Sequence, residues 1–462
     1  MHTHLLPPSH GALLLWGVDE LLTYHYLVAE LFMVLPTAEP ETDSVTLGGA
    51  APPDPTPEVF FGWSKAAQAE LVFEELFVKR TPLSEACRGV ITALNALGLG
   101  EQLLAAKSTT ACAPRLAALR AWFKARPLAD HVEQVFAQAK IRYAVMTNIP
   151  FVPEEIIHWL PSDSGAPPPS ITPRLRPALR VDPLLSGDWK VITATMRAAT
   201  PLARTRGGGG GGGGDRGGGY PETLDGCRAF LRDWAERMKP VYLMASTPAG
   251  FKYTPSASRK RKHSEALDSA ADVQPYSDAA GPGASALIER VLLPLALELN
   301  LPLALKVGAV RGANPALRAG GDAVEVADLS FVRALCASYP SVKILLTVLS
   351  DVNQHELCVL SRKFGNVHVY GCWWFCNVPS LIEKTTRMRL EMLGTAFTCQ
   401  HSDCRVLEQL LYKWPHSREA VAPVLAEMYE RLSRAGWEVS EADVERDVKL
   451  LFGGAYEAFL AK

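Results

Sequence analysis

The sequence lacks a membrane-length apolar run: its longest hydrophobic stretch, Leu13 to Pro36, is broken by Asp19, Glu20, His25 and Glu30. Carrying such groups into lipid unpartnered is too costly for a spanning segment, so no membrane role is expected. It also lacks a charge excess of one sign. With 21% charged residues and a formal net charge of −2, it offers no polybasic surface for nucleic acid or anionic headgroups. Tight CxxC pairs are missing as well. Cys87, Cys112, Cys227, Cys336 and Cys358 are scattered singly, and Cys372/Cys376 and Cys399/Cys404 are spaced too widely for a zinc knuckle. Met1 is followed at once by His2 and His4, without the charged start and apolar run of a secretory leader. The expectation is a cytoplasmic chain whose cysteines are free thiols.

What is present is ordinary globular material, 48% hydrophobic over 462 residues. Length alone suggests about three domains at ~150 residues each, but barrel enzymes with insertions exceed ~400 residues as one domain. A single domain over 1–462 is expected, with disordered insertions at 41–57, 203–219 and 256–283. The first is rich in proline, glycine and acidic residues. The second holds the glycine run Gly207 to Gly214, which lacks the GxGxxG or GK[ST] context of a phosphate loop. The third contains the basic run Arg259 to Lys262, a solvated loop segment rather than a nucleic-acid patch.

Between these insertions, short apolar runs alternate with amphipathic ones. Strands are predicted at Met1 to Leu5, Arg142 to Thr147, Ala178 to Asp182, Pro240 to Ser246, Pro302 to Val307, Val342 to Leu349, Asn366 to Trp373 and Thr395 to Gln400. Helices are predicted at Pro57 to Val78, Thr223 to Met238, Ser285 to Leu299, Val326 to Ser338 and Pro379 to Leu393. Further helices are expected at Val406 to Leu411 and Ser417 to Arg434, and a capping box at Ser440 and Asp443 opens the last one. Eight alternations imply an α/β fold, a closed (β/α)8 TIM-type barrel with helical additions, in preference to an open doubly wound sheet.

In such a barrel the working residues lie at the C-terminal ends of the strands. The first strand offers His2 and His4, two apart and therefore on one face, able to share a borderline cation such as Zn²⁺ or Mn²⁺. The eighth offers Asp403, which can ligate a metal and accept a substrate proton, followed by Arg405. Arg405 and Arg180 suit bidentate binding of a carboxylate, or else rim ion pairs. His25 and Tyr26, in a helical stretch, are acid, base or hydroxyl-binding candidates, or packing residues. Trp373 and Trp374 can wall the carbon face of a sugar, and Lys306 can meet an anion or a rim carboxylate.

The segments HTHL at His2 to Leu5, LLTYHYLVAE at Leu21 to Glu30, RVDPLL at Arg180 to Leu185, KVGAVRGANP at Lys306 to Pro315 and QHSDCRVLEQLLYKW at Gln400 to Trp414 resemble uronate isomerase, of the amidohydrolase superfamily. The resemblance runs in order from His2 to about Ser417. It implies a barrel of the metal-dependent hydrolase kind with one divalent metal, Zn²⁺ or alternatively Mn²⁺, on His2, His4 and Asp403. It further implies aldose–ketose conversion of a hexuronate through a cis-enediol, with Asp403 moving the proton. His25 and Tyr26 then stand beside the substrate, and Arg180, Trp373 and Arg405 bind it. Where many members carry a histidine on the fifth strand, this chain has Lys306. The partner expected is a small sugar acid, with a homo-oligomer possible. A hydrolase or lactonase on the same metal site, or a non-catalytic scaffold, are the alternative readings.

Overall fold

The computed structural model describes residues 2–7, 10, 13–36, 55–109, 114–160, 174–199, 201, 219–255 and 281–462. The expectations for 41–54, 203–218 and 256–280, and for Cys112, lie outside the described residues.

Six strands form one parallel sheet in the order Ala144–Asn148, Leu175–Arg180, Leu243–Ser246, Leu303–Val307, Ile344–Val348 and Val367–Val369. Parallel bridges extend it at both edges, Thr3 to Met146 on one side and Tyr370 to Thr398 on the other. The two added segments then meet: His4 N donates to Cys404 O at 2.7 Å and Asp403 N to His2 O at 3.1 Å. The ring therefore closes as an eight-segment α/β barrel, and no edge is left open. All eight predicted strands fall on these segments. The first and last are reduced to a bridge each, because short, bent segments satisfy few regular ladder bonds.

Several strands are buried along their whole length, as expected where helices cover the outside and side chains fill the interior. The floor of the barrel is sealed from within the same chain. Tyr456 and Phe459, on the terminal helix Ala455–Ala461, pack against Val145, Ala178, Tyr242, Met244, Ala304, Leu345 and Tyr370. His368 stacks on Phe459 with ring centroids 5.2 Å apart and pairs with Thr398 Oγ1 at 2.9 Å.

The helices follow the sequence closely where caps are strong. Pro379–Leu393 matches the prediction, and Thr223 caps Leu224–Met238. Ser440 and Asp443 form the reciprocal capping box. Other expectations need correction. Pro57 to Val78 is divided at Trp63, where Ser64 caps a new helix. Val326 to Ser338 is helical only over Ser330–Ser338. The two helices expected across residues 406–434 are one, Leu410–Arg434, running through Pro415 and Pro423. Proline costs a helix one ladder bond at each site; burial of Leu410, Leu411, Trp414, Val421 and Val424 keeps the helix continuous.

A buried pair sets the approach to the mouth. His131 Nε2 lies 2.7 Å from Glu408 Oε1, while Glu408 Oε2 accepts from Gly17 N at 3.1 Å. Removing one partner of such a pair costs about 3–5 kcal/mol. It anchors the start of the helix Val18–Leu22, just ahead of Tyr24 and His25.

Among the described residues no helix is long and apolar enough to cross a membrane. The described cysteines are all buried and free.

Burial, reinforced by Lys462 and Arg389, pulls the His368 imidazole down to about 3. An unfolded histidine titrates near ~6.5. Between these values the unfolded chain binds the extra proton, so His368 contributes stability above about 6.5 that is lost as pH falls. The melting temperature is expected to drop on acidification below that point, and less steeply in His368→Gln; parallel pH profiles of the two proteins would contradict this.

Candidate active site

Barrel closure brings residues some 400 positions apart in sequence into contact. His2 and His4 project from the first segment. Asp403, at the end of the eighth, places Oδ1 3.1 Å from His2 Nε2 and 3.6 Å from His4 Nε2. One ligand atom from each of the three lies within 4.8 Å of the others. Two imidazole nitrogens and a carboxylate oxygen suit a borderline divalent ion and leave coordination positions for a substrate. Lys306 also reaches this cluster: its Nζ lies 2.8 Å from both His2 Nε2 and Asp403 Oδ1.

The backbone is bent to make this possible. Asp403 has φ of 50°, in the left-handed region, where a side chain costs about 1 kcal/mol or more. The conformation is held from behind, since Asn377 Nδ2 donates to His401 O and Ser402 O at 3.3 and 3.4 Å. Asn377 Oδ1 accepts from Gln400 Nε2 at 3.0 Å and lies 3.1 Å from His416 Nε2.

Electrostatics separate the roles of the groups. Burial alone would raise the Asp403 carboxyl; the Lys306 ammonium, with the His2 and His4 imidazoles beside it, outweighs that and holds Asp403 ionised, well below the usual carboxylate range. Burial lowers His4 to about 4 despite Asp403, and lowers His25 to about 3 with the help of Arg405. These imidazoles are neutral at neutral pH, the form in which histidine binds metals or relays protons.

The cluster opens into a cavity of roughly 370 Å³, also lined by Tyr24, His25, Trp373, Trp374 and three arginines. Arg180 is fixed by Asp182, Nε to Oδ2 at 2.6 Å and Nη2 to Oδ1 at 3.0 Å, and Asp182 in turn accepts from Ser246 N. Arg311 pairs with Asp322 and lies over Trp374. Among the described residues no carboxylate pairs with Arg405.

The structure thus brings His2, His4, Asp403, His25, Arg180, Arg405 and Trp373 to one mouth. Tyr26 does not line the cavity: its ring stacks on Phe375, and the neighbouring Tyr24 takes the cavity wall instead. The helix beginning at His25 turns successive side chains about 100° apart, so Tyr26 and its neighbours cannot all face inward. Sequence reasoning assigned no role to Arg311, Asp322, Asp182 or Glu155. Asp182, two residues after Arg180, was the nearest to a readable signal.

A closed α/β barrel with a His-His-Asp cluster at the C-terminal ends of its strands, three residues that could hold a metal ion, is a TIM-barrel fold with a candidate metal site. Among solved structures, the chain is 38% identical to a uronate isomerase from Bacillus halodurans C-125, covering 100% of this chain and 92% of that one, with a TM-score of 0.76. The chain belongs to the uronate isomerase family. A uronate isomerase from Thermotoga maritima (15% identity, 99% and 93% covered, TM-score 0.64) and a glucuronate isomerase from Caulobacter crescentus (15%, 99% and 90%, TM-score 0.61) share the fold. No protein-family model and no curated protein matches the chain.

Asn377→Ala should cost about 1–3 kcal/mol by stripping two buried carbonyls and the Gln400 amide of their partner. Denaturant unfolding checks this; an unchanged midpoint would show that Asn377 does not support Asp403.

Proposed function

We propose that this member of the uronate isomerase family interconverts a hexuronate aldose and its ketose, D-glucuronate with D-fructuronate, D-galacturonate with D-tagaturonate, or both. The observation that carries the reading is Asp403: a buried, ionised carboxylate beside two imidazoles, in a cavity whose Arg405 has no carboxylate partner among the described residues.

The α-proton of an aldehyde sugar is weakly acidic, so the reaction needs a placed base and stabilisation of the enediolate. Asp403 takes the proton from C2 and returns it to C1. One hydroxyl proton must pass from O2 to O1, and His25, held neutral by burial, is placed to relay it. Arg405 receives the substrate carboxylate, with Arg180 oriented beside it by Asp182. Trp373 and Trp374 wall the carbon face, and Tyr24 meets a hydroxyl, with Tyr26 behind it. A divalent ion on His2, His4 and Asp403, Zn²⁺ in the first instance and Mn²⁺ as the alternative, would supply electrophilic polarisation of the carbonyl. No nicotinamide or flavin is needed.

The test is proton NMR of metal-reconstituted protein with each hexuronate in D₂O. Ketose signals with deuterium at the transferred position are expected; no conversion of either sugar would overturn the assignment. Asp403→Asn is expected to abolish conversion with the fold intact by circular dichroism, and near-normal turnover would remove Asp403 as the base. Arg405→Lys should mainly raise KM, by roughly tenfold or more, because an ammonium cannot bind a carboxylate bidentately. A loss confined to kcat would place Arg405 at the reacting carbons instead.

A further inference from the structure

We propose that Lys306 is the resident cation of the His2, His4 and Asp403 cluster, and that a divalent metal binds there only by displacing its ammonium. The inference rests on the reading of that cluster as the metal site. Lys306 extends from the strand Leu303–Val307, on the far side of the barrel from the closing seam, and is only 2% exposed. Its Nζ lies at 2.8 Å from His2 Nε2 and from Asp403 Oδ1, two of the atoms a metal would take.

The two arrangements exclude one another by donor counting. An imidazole nitrogen has one in-plane position, holding either a lone pair or a proton. At His2 Nε2 that position faces Lys306 Nζ and Asp403 Oδ1; a metal bond needs the same position as a bare lone pair. Asp403 Oδ1 is equally crowded, with Lys306, His2 and His4 all within 3.6 Å. An ammonium and a divalent ion sharing these atoms would also repel each other, the more so because Lys306 and His2 are buried.

The ammonium has somewhere to go. Its Nζ already lies 4.5 Å from the centre of the Trp373 ring, and both residues line the substrate cavity. A short swing keeps the cation against that aromatic face while freeing His2 Nε2 and Asp403 Oδ1. Lys306 therefore sets how tightly metal is held: it stabilises the metal-free cluster, and metal must break a buried ion pair to enter.

The experiment titrates Zn²⁺ against a chromophoric chelator in wild type, Lys306→Met, Lys306→Gln and His4→Ala, and follows melting with and without EDTA. Both lysine variants are expected to bind one equivalent at least roughly tenfold tighter than wild type. They should also lose more thermal stability to EDTA than wild type does. Equal or weaker binding at one equivalent would overturn the displacement and leave the metal site standing. Absence of stoichiometric binding in every protein, or binding indifferent to His4→Ala, would overturn both. Should the lysine variants fail to fold, wild type itself reports. Zn²⁺ should change tryptophan emission as the ammonium shifts over Trp373, and the change should vanish in Trp373→Phe; an emission change identical in the two proteins would refute the displacement.

Discussion

The pair of hydrogen bonds that joins His4 to Cys404 and Asp403 to His2 closes the barrel and assembles the site in a single contact. An eight-segment parallel sheet has no partner for its two outer segments unless they find each other. Here those segments are the ones that carry the imidazoles and the carboxylate. Closure and the assembly of the site are therefore one event. The left-handed backbone of Asp403 belongs to the same constraint. The last segment must stop running along the barrel and turn its carboxylate inward over the mouth, and the hydrogen bonds from Asn377 hold that turn from outside.

The fold was largely legible because its signals are local. Buried parallel strands read as short apolar runs, and the ends of the helices Leu224–Met238 and Pro379–Leu393 are marked by a threonine cap and a first-turn proline. The sequence failed where tertiary packing overrides a local rule. Pro415 and Pro423 look like breaks, yet the buried face of Leu410–Arg434 carries the helix through both. Gly62 and Ser64 are a local stop and cap inside an otherwise helical pattern, and there the first helix ends and Ser64 starts a new one.

The site was legible to the extent that chemistry repeats at close spacing. His2 and His4 on one strand, and Asp403 with Arg405 on another, can be found by asking which strand ends bear reactive groups. What one sequence cannot display is how residues on different strands point at each other. The sequence offers Lys306 as a contact for an anion or a rim carboxylate, in the place of a fifth-strand histidine, and only the closed barrel shows its ammonium between His2 and Asp403. Asp182 and Asp322 likewise gain meaning only once Arg180 and Arg311 are seen held by them.

Charge balance then bears on what the cavity is built to receive. Of its cationic groups, Arg180 is matched by Asp182, Arg311 by Asp322 and Lys306 by Asp403. Arg405 has no carboxylate partner among the described residues, and its charge helps depress His25 beside it. Glu155 does not compensate: it is turned to Ile149 N and Asn148 Nδ2, and burial raises its pKa. A cavity with one unmatched guanidinium at its wall and a fixed carboxylate at its base attracts an anion by one end only. A small acid whose carboxylate meets Arg405 thereby extends its other end toward Asp403. Under the proposed function, the charge that binds the substrate would then also decide which of its carbons reaches the base.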